Sequence, residues 1–274
     1  MKNIIAAVDF SKVSVNAARY AAQLAEFYKA NIWIYHSYQL PVTANEIGYP
    51  FVGAAELQNL ADFNMQELSK ELSVIPKQPV TINSKVELIN LGDGLQAFCD
   101  EVEADLVVMG ITGKSTLKRL LIGSNTLHAI QHLHCPVLIS PAGASFSAYC
   151  KIGLAVDYEK PIEPGTIDII NSITTSFNAS LYVINVDWQS RHHTDTGKQH
   201  EALLHQQLTA GNVHFRSLQN EHVATAIHDF VKNESIDLLI TLPKKHNLVE
   251  KLFSAVHTPE LLYHTDIPVL CLPE

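Results

Sequence analysis

Residues 109–125 read MGITGKSTLKRLLIGSN, an apolar run that meets Gly110, then Gly113, then Gly123-Ser124-Asn125 with Thr126 behind them. A glycine lets the main chain bend sharply and approach a ligand with no Cβ in the way. A helix that opens at 123–126 would offer free N–H groups and the positive end of its dipole to an anion. Phosphate binding is the chemistry these residue types could do. The Gly113-Lys114-Ser115 triplet imitates a Walker loop, but that loop needs its first glycine at residue 108, which is Val. The G-x-G-x-x-G spacing of dinucleotide-binding turns fails as well, and it would have to follow the first strand. What the chain carries is G-x-x-G-x9-G-[ST]. Ser124 and Thr126 add hydroxyl donors, and Lys114 and Arg119 supply either charge for a phosphate or a solvated surface.

Such a loop needs elements to hold it, and the chain repeats them. KNIIAAVDFSK (2–12) is echoed by CKIGLAVDYEK (150–160), and ANIWIYHSY (30–38) by ASLYVINVD (179–187). ADLVVMG (104–110) is echoed by IDLLITL (236–242), and CPVLISP (135–141) by IPVLCLP (267–273). The offset is 148 or 149 in the first two pairs and 132 in the last two, so one shortening inside the second copy accounts for both. AGASFSAY (142–149) reads as the linker. Within each copy short apolar runs alternate with helical spacing, as in 14–30 and 54–73, while 94–104 reads as a helix capped by Asp93. Alternating strands and helices predict a doubly wound parallel sheet, with ligands beyond the carboxyl ends of the strands. Asp9, Ser37 and Gly110 each sit at such an end.

The loop spacing, Asp9 closing the first strand and a Pro-Val-Leu final strand in each half together resemble the universal stress protein family in a tandem form. The resemblance spans nearly the whole chain. It implies an α/β fold of the adenine nucleotide alpha hydrolase-like type. Two homologous doubly wound domains, at 1–143 and 149–274, would each have a five-stranded mostly parallel sheet with helices on both faces. It further implies that the loop holds the phosphates and ribose of ATP or AMP. Asp9 would meet the ribose or, through a Mg²⁺ held mainly by phosphate oxygens, the phosphates, and the backbone around Ser37 would meet the adenine. Ala7, Val8 and Phe10 beside Asp9, and Met109 and Thr112 beside Gly110, complete the expected site. The family's domains associate through their last strands, so pairing CPVLISP with IPVLCLP would make a built-in pseudo-dimer and cover two apolar edges. Further association into a homodimer is left open by the sequence.

The second copy keeps Asp157 but puts Leu242, Lys245, Ala255 and Val256 where the loop glycines and serine stood, and Pro243 removes a backbone donor. Its expected role is structural, the alternative being that its altered pocket takes a different small ligand. The first copy would then be a binding or sensing module in a stress response. Slow ATP hydrolysis or phosphate transfer is the rival reading, but no general base or second acidic residue is in view for it; a scaffold that holds no ligand is the third.

Composition narrows the partners. A formal net charge of −9 argues against nucleic acid or an anionic membrane, and no apolar run approaches the roughly 18 residues of a spanning helix. The N-terminal apolar stretch is too short for a signal segment and meets Asp9 at once. Four scattered cysteines without C-x-x-C read as thiols of a reducing compartment, so the expected location is the cytoplasm. Of the fourteen histidines, His128 and His132 share a helix face and three cluster in 190–200, but neither group makes a recognisable zinc set. Residues 37–53, with Tyr38, Tyr49 and Phe51, are a candidate lid or a variable surface loop.

Overall fold

The computed structural model describes residues 1–40, 53–111, 124–187, 195–209, 211–243 and 266–273. Among them, the first half runs β1 (Asn3–Ala7), α1 (Lys12–Tyr28), β2 (Asn31–Tyr38), α2 (Ala54–Ser73), β3 (Ile82–Leu88), α3 (Leu91–Glu101), β4 (Leu106–Ile111), α4 (Ser124–His132) and β5 (Val137–Pro141). The second half follows with β6 (Lys151–Val156), α5 (Pro164–Phe177), β7 (Ser180–Asp187), α6 (Asp195–Gln207), β8 (Asn212–Gln219), α7 (Val223–Glu234), β9 (Leu238–Thr241) and β10 (Val269–Cys271). All ten strands form one sheet, β3-β2-β1-β4-β5-β10-β9-β6-β7-β8. Each half has the same doubly wound order, and every pairing is parallel except β5 with β10, which is antiparallel with Val269 opposite Ile139.

The strands are apolar on both faces because both faces are covered. In β1, Ile4 and Ala6 enter a core with α1, α2 and α5, whereas Ile5 and Ala7 enter a second core with α3, α4 and α7. Alanines at 17, 18, 21, 22 and 25 give α1 a thin face, all of them buried. The helix starts at Ser11, whose side chain accepts from the Ser14 N–H, and stops at Lys29, where the backbone turns left-handed at φ 54°.

The repetition extends to individual hydrogen bonds. Asp105 Oδ2 accepts from the Lys2 and Asn3 N–H groups, and Asp237 Oδ2 accepts from those of Cys150 and Lys151. The left-handed Lys29 recurs as Asn178, and the left-handed Glu103 as Ser235. Beyond the sheet, the halves join through α1 and α5. Phe27 stacks on Phe177 with centroids 4.3 Å apart and planes 5° from parallel, and the Tyr20 and Tyr149 hydroxyls hydrogen-bond in the interior.

Three local expectations need correction. Helix α3 starts at Leu91 and is capped by Asn90, whose Oδ1 accepts from Gly92 and Asp93; Asp93 lies inside the first turn. Helix α1 begins two residues before the expected 14 and ends two before 30, because Ser11 caps it and Lys29 breaks it. Residues 142–149 are not a bare linker: Phe146 and Tyr149 pack against Phe177, and the Ala144 carbonyl accepts from Asn16 Nδ2 at 2.9 Å.

Candidate functional site

Strand order reverses between β1 and β4, since α1 leaves β1 on one face and α3 reaches β4 on the other. At that switch point a cavity of about 440 Å³ opens beyond the strand ends, which is within the usual range for small-molecule sites. Ala7, Val8, Asp9, Ser37, Met109, Gly110, Asn125 and Thr126, drawn from three strand ends and the start of α4, all line it. Phe10 does not; its ring packs on His36 instead. Ser124 opens α4. Thr112, Gly113, Lys114, Arg119 and Gly123 lie outside the described residues, as do Tyr49, Phe51, Lys245, Ala255 and Val256.

Several walls were not foreseen: Ser11, Val13 and Ser14 from the start of α1, and Ile89, Asn90 and Leu91 from the start of α3. Tyr38 and Gln39, from the candidate lid segment at the end of β2, line the cavity as well. The helix-capping types Ser11 and Asn90 were the available signal, because a cap places its helix at the strand's carboxyl end. Tyr38 is fixed by its hydroxyl, which donates to Gln58, and Gln58 Nε2 in turn donates to Asp62 at 3.0 Å.

Asp9 sits in a tight turn. Its Oδ1 accepts from the Ser11 N–H at 3.0 Å, and its own N–H donates to Ser14 Oγ at 3.2 Å. Ser14 Oγ donates onward to the Ser11 carbonyl at 3.1 Å. Partial burial pushes the Asp9 carboxyl up, but hydrogen bonds from the Ser11 and Ser14 side chains and the Ser11 N–H outweigh it, holding the pKa below its ordinary value. Asp9 is therefore a fixed negative charge at neutral pH. The turn passes through Phe10 at φ 60°, a left-handed conformation that costs a side-chain-bearing residue about 1–2 kcal/mol.

Gly110 lines the cavity and also has a packing reason to lack a side chain. A Cβ there would come within 2.7 Å of the Val13 carbonyl oxygen, so the missing side chain lets the first turn of α1 lie on β4. The close approach is made by the chain's own backbone. The starts of α1, α3 and α4 all face the cavity and suit an anionic group of a ligand, while Asp9 is the one charged side chain in the described lining. Among the described residues no group of three or more His, Cys, Asp or Glu side chains could hold a metal ion. A Mg²⁺ near Asp9 would thus need most of its oxygens from the ligand.

In the second half the residues after β9 that would wall the matching place lie outside the described residues. On the α6 side of Asp157 lies a small space of about 10 Å³, walled by Tyr158, Ile162 and the α6 residues His200, Leu203 and Leu204. His200 Nδ1 donates to the Tyr158 carbonyl at 2.9 Å, tying α6 across the strand end.

Among the described residues no helix is long and apolar enough to cross a membrane. The ten-stranded architecture is shared with a crystal structure of a universal stress protein from Archaeoglobus fulgidus. That chain overlays at a TM-score of 0.74 with 14% identity, over 99% of this chain and 98% of the other. A universal stress protein of Methanocaldococcus jannaschii is 32% identical over 140 residues, 50% of this chain and 81% of the relative. Universal stress protein E of Photorhabdus laumondii is 40% identical over 47 residues, 17% of this chain and 15% of that protein. Residues 1–141, the half that contains the cavity, match the universal stress protein family as a whole, and to that family the chain belongs.

Proposed function

We propose that this chain binds an adenine nucleotide, ATP or AMP, in the cavity of its first half and acts in a stress response as a binding or sensing module. The observation that carries the reading is the cavity of about 440 Å³ in front of Asp9, walled by three strand ends and three helix starts at the switch point of the half that matches the family. Helix starts at Ser11, Asn90 and Ser124 would offer N–H groups to phosphates, with the buried Thr126 at the α4 end. Asp9 would take a ribose hydroxyl or, through Mg²⁺, the phosphate oxygens. Ser37 and Tyr38 at the end of β2 would form the base-side wall.

The two halves are then domains of unequal duty, 1–143 for the ligand and 149–274 for support, with the β5–β10 pairing as an internal pseudo-dimer contact. The test is direct. Natively purified protein is examined by mass spectrometry for a retained nucleotide, and stripped protein is titrated with ATP and AMP, each with and without Mg²⁺. One site per chain, lost on Asp9→Ala, is expected. Two equal sites, or none for either nucleotide, would refute the reading. A timed ATP turnover assay on the same sample separates a binder from a slow hydrolase.

A further inference from the structure

Behind the cavity wall, one side chain braces the turn that carries Asp9. The β1–β2 ladder ends with Ala7 opposite Tyr35, and His36 is the next residue on β2. Its Nδ1 meets the Val8 carbonyl at 2.7 Å, and because a carbonyl only accepts, the ring carries its proton there. The same ring lies against Phe10, with centroids 4.4 Å apart and planes at 47°. His36 therefore touches the residue before Asp9 through a hydrogen bond and the residue after it through a ring face. Neither His36 nor Phe10 lines the cavity, whereas Val8 and Asp9 do.

The second half separates the two contacts. Asn185 occupies the place of His36, and its Nδ2 donates to the Val156 carbonyl at 3.1 Å, so the tie to the strand end is kept. The ring is gone, and Tyr158 in the place of Phe10 is not left-handed. The carbonyl tie thus accompanies the fold, while the ring accompanies the left-handed turn.

We propose that His36 is a positioning residue for the first-half site, its ring holding Phe10 in the left-handed turn that presents Asp9 to the cavity. Phe10 pays a conformational penalty that a glycine would not. A ring packed against it offsets that penalty. The inference rests on the nucleotide reading only where affinity is measured; the state of the turn can be read without a ligand.

The experiment uses the full chain as wild type, His36→Asn, His36→Phe, Phe10→Gly and the Phe10→Gly/His36→Asn double variant. His36→Asn keeps the tie in the manner of Asn185, and His36→Phe keeps a ring without the tie. One readout is hydrogen exchange at the Asp9 N–H, which donates to Ser14 Oγ; the other is calorimetric affinity for ATP. His36→Asn is expected to speed exchange and weaken ATP about five- to thirtyfold, the factor equivalent to one left-handed residue's penalty. His36→Phe should lie near wild type in both. In the Phe10→Gly background His36→Asn should change either readout less than twofold, because glycine enters the left-handed region freely. An equal effect in both backgrounds, or a His36→Phe as impaired as His36→Asn, would overturn the proposal. If the exchange pattern holds while wild type binds no ATP, the nucleotide reading fails and the positioning role stands.

Discussion

The carbonyl oxygen of Val13 stands 2.7 Å from where a side chain on Gly110 would begin. That approach joins the first turn of α1 to the end of β4, and so fixes the width of the cavity between them. The obstacle is backbone on both sides and cannot rotate away. Gly110→Ala should destabilise the chain by about 1–3 kcal/mol, the usual cost of forcing a methyl into a packed position. Urea unfolding should show a lower midpoint with an unchanged slope. An unchanged midpoint would mean that α1 can shift outward at no cost, and that the cavity is less rigidly framed than described.

Asp9 gives the site a pH signature of known sign. Its folded pKa is depressed by hydrogen bonds that outweigh the effect of burial, so the stabilisation is present above the unfolded value of about 3.9. It is lost as pH falls through the lower folded value. Asp9→Asn should therefore melt below wild type at pH 7, with the gap closing as the medium is acidified beyond roughly pH 4. Melting curves of both proteins across that range decide it. A gap that is constant with pH would show that the carboxylate's charge contributes nothing to the turn.

Much of this arrangement was legible because parallel strands and thin helices leave strong marks. The alanines of α1, the apolar runs of β1 and β4 and the echoed segments all reflect burial on two faces, and burial is what a sequence records best. Strand β3, INSKVEL, is poorly marked because it lies at the sheet edge with its residues half-buried or exposed. The candidate site was legible where strand ends and α4 supply it. The walls from Ser11 and Asn90 were not, since a cap acquires meaning only when helix starts converge from distant parts of the chain. Gly110 is instructive in another way. Its spacing marks it as a place of close approach, but spacing alone does not reveal that the carbonyl of Val13 makes one such approach.

Ser14 holds the same turn from the helix side. Its hydroxyl accepts from the Asp9 N–H and donates to the Ser11 carbonyl, and the residue is buried. Ser14→Ala leaves both groups without that partner, which should cost about 1–3 kcal/mol. Ser14→Thr retains the hydroxyl and should recover most of it. Differential scanning calorimetry of the two variants separates hydrogen bonding from packing. Equal losses in both would show that a hydroxyl at this position recovers nothing, and that the two hydrogen bonds are not what the turn depends on.

The two halves are coupled through aromatic rings as well as through the sheet, and the coupling can be measured. Phe27 on α1 and Phe177 on α5 stack at 4.3 Å, with Phe146 and Tyr149 packed beside Phe177. Stacked pairs contribute about 0.5–1.5 kcal/mol beyond the area they bury. A double-mutant cycle with Phe27→Leu and Phe177→Leu should return a coupling energy of that size, since the rings touch and leucine preserves most of the apolar volume. The β5–β10 pairing lies on the strand side of the same junction, so the sheet should hold the halves together in the single variants. Unfolding of the double variant is then expected to broaden as the halves begin to melt separately, the departure from two-state behaviour that weakened domain contacts produce. A coupling near zero with a single sharp transition would show that the strands alone join the halves, and that the stacked rings only fill space.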